Sequence, residues 1–170
     1  MKKFLGIFIL LCLFIPSVAS AKEFKWTMDP KYSGEVHIGY GSPSSNSIAY
    51  MGRIEVGTVQ GLKLNEYATV GLGVDINMLT HYYKGQDLRW GMNTYFDMRG
   101  SYPLNKEFSC FLDLGLGAYF NIHPSSGGAA FFCEFGPGVK FKQYALSLGL
   151  QNIGTGKGTS TFFVKAGYHF

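Results

Sequence analysis

Twelve charged side chains recur at alternate positions within otherwise apolar stretches: Glu35, Arg53, Glu55, Asp75, Arg89, Asp97, Arg99, Asp113, Glu134, Lys140, Lys142 and Lys165. Six are acids and six are bases. Equal numbers of opposite sign on one face suit mutual neutralisation, because a charge taken out of water must be paired or hydrated. The expectation is a network of ion pairs and waters filling an interior. A conduction path or a proton relay is the rarer use of such residues. Nucleophile and base types occur as well. His81, and His123 with Ser125 and Ser126, are the residue types of a base and a hydroxyl nucleophile. They fall in expected loops without a carboxylate placed to orient the imidazole, so catalysis is not expected. His37 and His169 fall on the charged face of the first and last strands. Two histidines without a third ligand point to hydrogen bonds with Glu35 or backbone rather than to a metal centre. Cys110 and Cys133 lack metal-ligand spacing, and no cofactor is expected.

The elements that carry these residues are eight alternating segments, at roughly 33–41, 48–63, 67–80, 89–102, 107–122, 129–142, 143–152 and 159–170. The third sets Ala68, Val70, Leu72, Val74, Ile76 and Met78 opposite Thr69, Gly71, Gly73, Asp75 and Asn77. The fifth sets Phe108, Cys110, Leu112, Leu114, Leu116, Ala118, Phe120 and Ile122 opposite Ser109, Asp113, Gly115, Gly117 and Asn121. Such segments are long enough to cross a bilayer, which takes about 9–11 tilted residues. An even number of them closes an up-and-down barrel. Alternation alone does not say which face is outside. Glycine does: Gly39, Gly57, Gly71, Gly73, Gly115, Gly117, Gly149 and Gly167 all fall on the polar face. Small residues suit the crowded interior of an eight-stranded barrel, whereas a solvated outer face gains nothing from them. The apolar face carries large side chains and no charge, which matches lipid.

The chain ends agree with this. Lys2 and Lys3, the apolar run Phe4 to Ile15 and the small residues Ala19-Ser20-Ala21 form an expected cleaved export signal over residues 1–21. Residues 22–32 are an expected lead-in and 33–170 the barrel. The 15 Lys and Arg against 11 Asp and Glu give +4, and setting aside Lys2 and Lys3 leaves +2. That balance argues against a nucleic-acid partner or a polybasic membrane patch.

Three joins are tight, near Asn65-Glu66, Pro103 to Lys106 and Lys142-Gln143, and the alternate joins are longer. Barrels of this kind put short turns in the periplasm and longer loops outside, which places both termini in the periplasm. Tyr102, Phe108, Phe141, Tyr144, Tyr168 and Phe170 then gather at one interface, and Tyr40, Tyr50, Tyr82, Tyr83, Trp90, Phe131 and Phe162 at the other, as two aromatic girdles. Pro137 lies mid-strand, where a bulge or kink is expected. Centring the fifth-to-sixth hairpin near Ser125-Ser126 sets Cys133 opposite Ala118 and Cys110 opposite Phe141, too far apart for a disulfide.

Tyr32 to Gly41, Leu64 to Val74, Cys110 to Gly117 and the ending Gly167-Tyr-His-Phe170 together resemble the small outer-membrane β-barrel proteins, the OmpA/OmpX-like or "porin family" barrels of Gram-negative bacteria. The resemblance covers essentially all of the chain after residue 21. It implies an all-β, eight-stranded transmembrane barrel in the outer membrane, monomeric and surrounded by outer-membrane lipids. It also implies passage by periplasmic chaperones and the barrel-assembly machinery, with Tyr168 and Phe170 as the assembly signal. Members serve structural or surface-interaction roles, the role expected here. Some barrels act on lipid A or phospholipid, and a narrow passage for small solutes is the other alternative.

Overall fold

Strict alternation of apolar with small or polar residues produces eight β-strands: β1 (Lys31–Pro43), β2 (Gly52–Lys63), β3 (Ala68–Thr80), β4 (Arg89–Pro103), β5 (Phe108–His123), β6 (Ala130–Phe141), β7 (Tyr144–Gly154) and β8 (Thr159–His169). They come from a computed structural model that describes residues 28–43, 52–80, 89–123, 128–154 and 159–170. The expected export signal, most of the lead-in, and His81, Tyr50, Tyr82, Tyr83, Ser125 and Ser126 lie outside the described residues. Of Arg89 and His123 only the backbone is described. The first strand begins at Lys31, two residues before the expected boundary, and Asp29 N–H already bonds to the carbonyl of Leu64 at 3.0 Å.

Each strand pairs antiparallel with its sequence neighbour, and β1 pairs with β8, so the sheet closes. Passing from Ser33 to Gly61, Gly71, Asp97, Gly115, Glu134, Gln151 and Thr161 along successive rungs returns the path to β1 at Pro43, ten residues further on. A stagger of that size over eight strands tilts them by about 40°. Every residue of this circuit from Ser33 to Thr161 belongs to the inward-facing set, so one tilted turn of the lumen wall is built from small or polar residues.

The outward set carries no charge among the described residues and is exposed: Leu72 is 67 % and Leu150 62 % accessible. The inward set is buried, with Glu55 and Asp75 fully inaccessible. This is inside-out relative to a soluble barrel. Tyr102, Phe141, Tyr144, Tyr168 and Phe170 gather at the end with the tight turns, and Tyr40, Trp90, Phe131 and Phe162 at the other, all exposed. We call these ends the turn rim and the loop rim.

The turn rim owes its geometry to two copies of one device. In Leu64-Asn65-Glu66-Tyr67, Asn65 Oδ1 accepts from the backbone of Tyr67 and Ala68, each at 2.8 Å. In Leu104-Asn105-Lys106-Glu107, Asn105 Oδ1 accepts from Glu107 at 2.9 Å and Phe108 at 2.8 Å. These Asx turns explain why both joins need only four residues. The two-residue join Lys142-Gln143 needs a positive φ, and Lys142 takes it at 55°.

Pro137 does not bulge its strand. Its pairing with Leu112 on β5 is regular, while the rungs to β7 lapse at Gly136 and Pro137 and resume at Gly138↔Ser147 in unchanged register. A missing donor therefore costs rungs on one side only. The register shift falls instead between Trp90 and Gly91 on β4.

Candidate functional site: the charged lumen

The lumen charges are brought together by strands far apart in sequence. Nearest the turn rim, Arg99 on β4 is the hub. Its Nε and Nη2 donate to the Asp113 carboxylate at 2.5 and 2.9 Å, and its Nη1 donates to Glu35 Oε2 at 2.6 Å. His169 Nε2 lies 3.0 Å from the same Glu35 oxygen and 2.8 Å from Arg99 Nη1. The Arg99 guanidinium also stacks 4.3 Å from the Phe111 ring centroid. The planar fork of arginine suits two carboxylates and a ring face at once.

At mid-lumen the hub is Lys165 on β8. Its Nζ lies 2.9 and 2.7 Å from the two oxygens of Glu134 and 3.1 Å from Glu55 Oε1. Gln151 Nε2 donates to Glu134 at 3.0 Å, and Arg53 Nη2 approaches Glu55 Oε2 to 3.0 Å. Between the two hubs, His37 Nε2 lies 3.0 Å from Asp75 Oδ1 and His37 Nδ1 3.8 Å from Glu35. Tyr95 donates to the same Asp75 oxygen at 3.1 Å.

The expected lumen residues Glu35, Arg53, Glu55, Asp75, Arg99, Asp113, Glu134 and Lys165 thus meet one another. Asp97 is buried but makes no ion pair or hydrogen bond among the described residues; it borders a cavity of about 10 Å³, water-sized, beside Glu35, Arg99 and His169. Lys140 is only half-buried and stands at the turn-rim mouth without a carboxylate partner among the described residues. Lys142, expected inward, is instead an exposed turn residue 3.6 Å from Glu107, because the hairpin reverses there and ends the alternation. His37 and His169 sit two residues apart in register, both beside Glu35. His37, Glu55 and Asp75 could offer ligand atoms within 4.8 Å of one another. Lys165, already on Glu55, occupies this cluster as its cation.

Sequence reasoning missed the lumen aromatics. Large residues were expected outside, yet Tyr95, Phe111, Tyr119, Phe132 and Phe163 are buried inside. Glycine makes the room: a Cβ on Gly73 would overlap the Tyr95 ring, on Gly91 the Tyr119 ring and on Gly138 the Phe111 ring. The signal was present, since these rings share the parity of the charges.

Cys110 and Cys133 are both free and face outward. They pair with Val139 and Leu116, six residues apart along the hairpin rather than the expected eight.

No family model matches the chain, and no curated protein matches its sequence. Among solved structures it is similar to the outer membrane enzyme PagL, at 10 % identity over 79 % of this chain and 98 % of that one, with a TM-score of 0.58. It is also similar to Neisserial surface protein A, at 13 % identity over 83 % of this chain and 97 % of that one, with a TM-score of 0.52. The likeness is one of fold. The chain has the architecture of the small eight-stranded outer-membrane barrels.

Proposed function

We propose that this chain is an integral outer-membrane barrel with a structural or surface-interaction role, its lumen plugged and without catalysis. The observation that carries this reading is that the inward ionisable groups are mostly spent on one another. Two cationic hubs, Arg99 and Lys165, bind four carboxylates between them, and five aromatic rings fill the space around them. A site poised for chemistry or conduction keeps such groups facing a cleft or a path. In this reading residues 1–21 are removed on export and both termini face the periplasm. The longer joins, including Ser44, Lys84, Ser126 and Lys157, face the outside, and lipid surrounds the apolar belt of a monomer.

Planar-bilayer recording of the purified protein tests the plug: no ohmic channel is expected, and steady conductance would favour the passage. Lipid mass spectrometry of a deletion strain tests catalysis: an altered lipid A or phospholipid profile, restored by the gene, would favour the enzyme. Protease added to intact cells should cut only near the four named loop residues. Cuts confined to Asn105-Lys106 or Lys142-Gln143 would invert the topology.

A further inference from the structure

The turn-rim mouth opens into a cavity of about 320 Å³, at the lower end of the range of small-molecule pockets. Its lining is polar and its charge is not balanced. Lys63 projects from β2, and Lys140 from β6 on the opposite wall, four strands away. Lys106 comes from the β4–β5 turn. Among the described residues the ammonium groups of these three make no ion pair or hydrogen bond. The two rim acids are already engaged: Glu107 with Lys142, and Glu66 with the Tyr67 hydroxyl, whose pKa it raises. Deeper in, the described lumen charges other than Asp97 are paired, and at the mouth itself the cations outnumber the acids. Hydroxyls of Ser33, Thr69, Ser101 and Ser109 share the same wall.

Three unpartnered ammonium groups brought to one cavity by two strands and a turn cost repulsion that a bound anion relieves. We infer that the turn-rim mouth is a binding site for a compact, multiply charged anion bearing phosphate or carboxylate groups, held by Lys63, Lys106 and Lys140. Lys140 is the anchor, because it is the least exposed of the three and its charge has the fewest waters to solvate it. The site goes beyond the proposed surface role. It also does not depend on which side of the membrane the turn rim faces.

The test is isothermal titration of the purified full-length protein in maltoside micelles with inorganic phosphate and with citrate, against chloride. Saturable binding of at least one is expected, weakened roughly tenfold or more by Lys140→Gln and by Lys63→Gln. Lys31→Gln should weaken it far less, since Lys31, although the β1 partner of Lys63, is paired with Asp29 and does not line the cavity. Heat-modifiable migration checks that each variant is folded, and Lys106→Gln supplies a third arm at an exposed turn position. Preference for phosphate assigns a phosphorylated ligand and preference for citrate a polycarboxylate. Absence of binding, or weak binding equal to that of chloride and indifferent to the three lysines, overturns the site.

Discussion

Lys165 shows how one residue can decide whether a buried cluster is tolerable. Its ammonium serves Glu55 and Glu134, both of them buried. Replacing it with Met keeps the stem's volume, leaves Glu134 without a cation and leaves Glu55 with Arg53 alone. The expected cost is about 3–5 kcal/mol, read as a lower urea midpoint for unfolding from detergent or lipid vesicles. Adding Glu134→Gln should restore part of the loss, because it removes the stranded charge. If the single substitution moves the midpoint by less than its experimental error, the hub is not a hub. Gly73 makes the complementary point about volume. A methyl group there would overlap Tyr95, whose hydroxyl is fixed on Asp75. Gly73→Ala should therefore destabilise by about 1–3 kcal/mol, although alanine is ordinarily the better strand residue. Gly100→Ala, where a Cβ meets nothing within 4 Å, is the control expected to be neutral.

At the scale of the element, the β5–β6 hairpin shows what periodicity does and does not fix. The faces are as alternation requires, but the register is two residues from one drawn by centring the loop on Ser125-Ser126. The observed pairing still sets Cys110 and Cys133 about 20 Å apart along the strands. Alkylation after unfolding without reductant should label both thiols, and a Cys110–Cys133 disulfide would refute the pairing. The lipid-facing side of β3 has its own test. Leu72→Arg places a charge on a surface that is otherwise apolar, and should cost about 2–4 kcal/mol near mid-strand. Unchanged heat-modifiable folding would mean that the face is solvated. The outward side is not wholly apolar: Tyr32 donates to Gln60, Gln60 to Thr58 at 2.5 Å and Thr58 to the carbonyl of Glu35 at 2.8 Å. A polar ladder closed on itself can face hydrocarbon near a rim.

The whole molecule depends on one seam. Closure by β1 and β8 ends in a reciprocal pair of bonds, Gly34 N–H to Phe170 at 3.1 Å and Phe170 N–H to Gly34 at 2.9 Å. The Phe170 ring covers Gly34, where any Cβ would stand 2.5 Å from it, and lies 6.4 Å from the Tyr32 ring. Tyr168 packs edge-on against Tyr144 at 5.6 Å. Phe170 is thus a closing rung, and the resemblance to outer-membrane barrels makes it part of an expected assembly signal. Deleting Phe170 should lower outer-membrane levels and leave protease-sensitive chain in the periplasm, measured by cell fractionation. Phe170→Tyr keeps the rung and an aromatic ring, and should restore most of the level. Full levels after the deletion would remove both roles.

Much of this was legible in the residues alone. Period-two alternation and glycine on the polar side determine eight strands, a closed barrel and which face meets lipid, since side-chain direction in a strand follows from sequence parity. The boundaries of β3, β4 and β5 were placed within one residue of those observed. Parity also assigns the lumen acids and bases to one interior. It cannot say which acid meets which base. Glu35 is 64 residues from Arg99 and Glu134 is 31 from Lys165. Their meeting depends on the ten-residue stagger that closure imposes on all eight strands at once. The same stagger seats Tyr95, Phe111 and Tyr119 over glycines on neighbouring strands and brings Lys63 and Lys140 to one cavity at the turn rim. Local pattern determines direction; only closure determines neighbours.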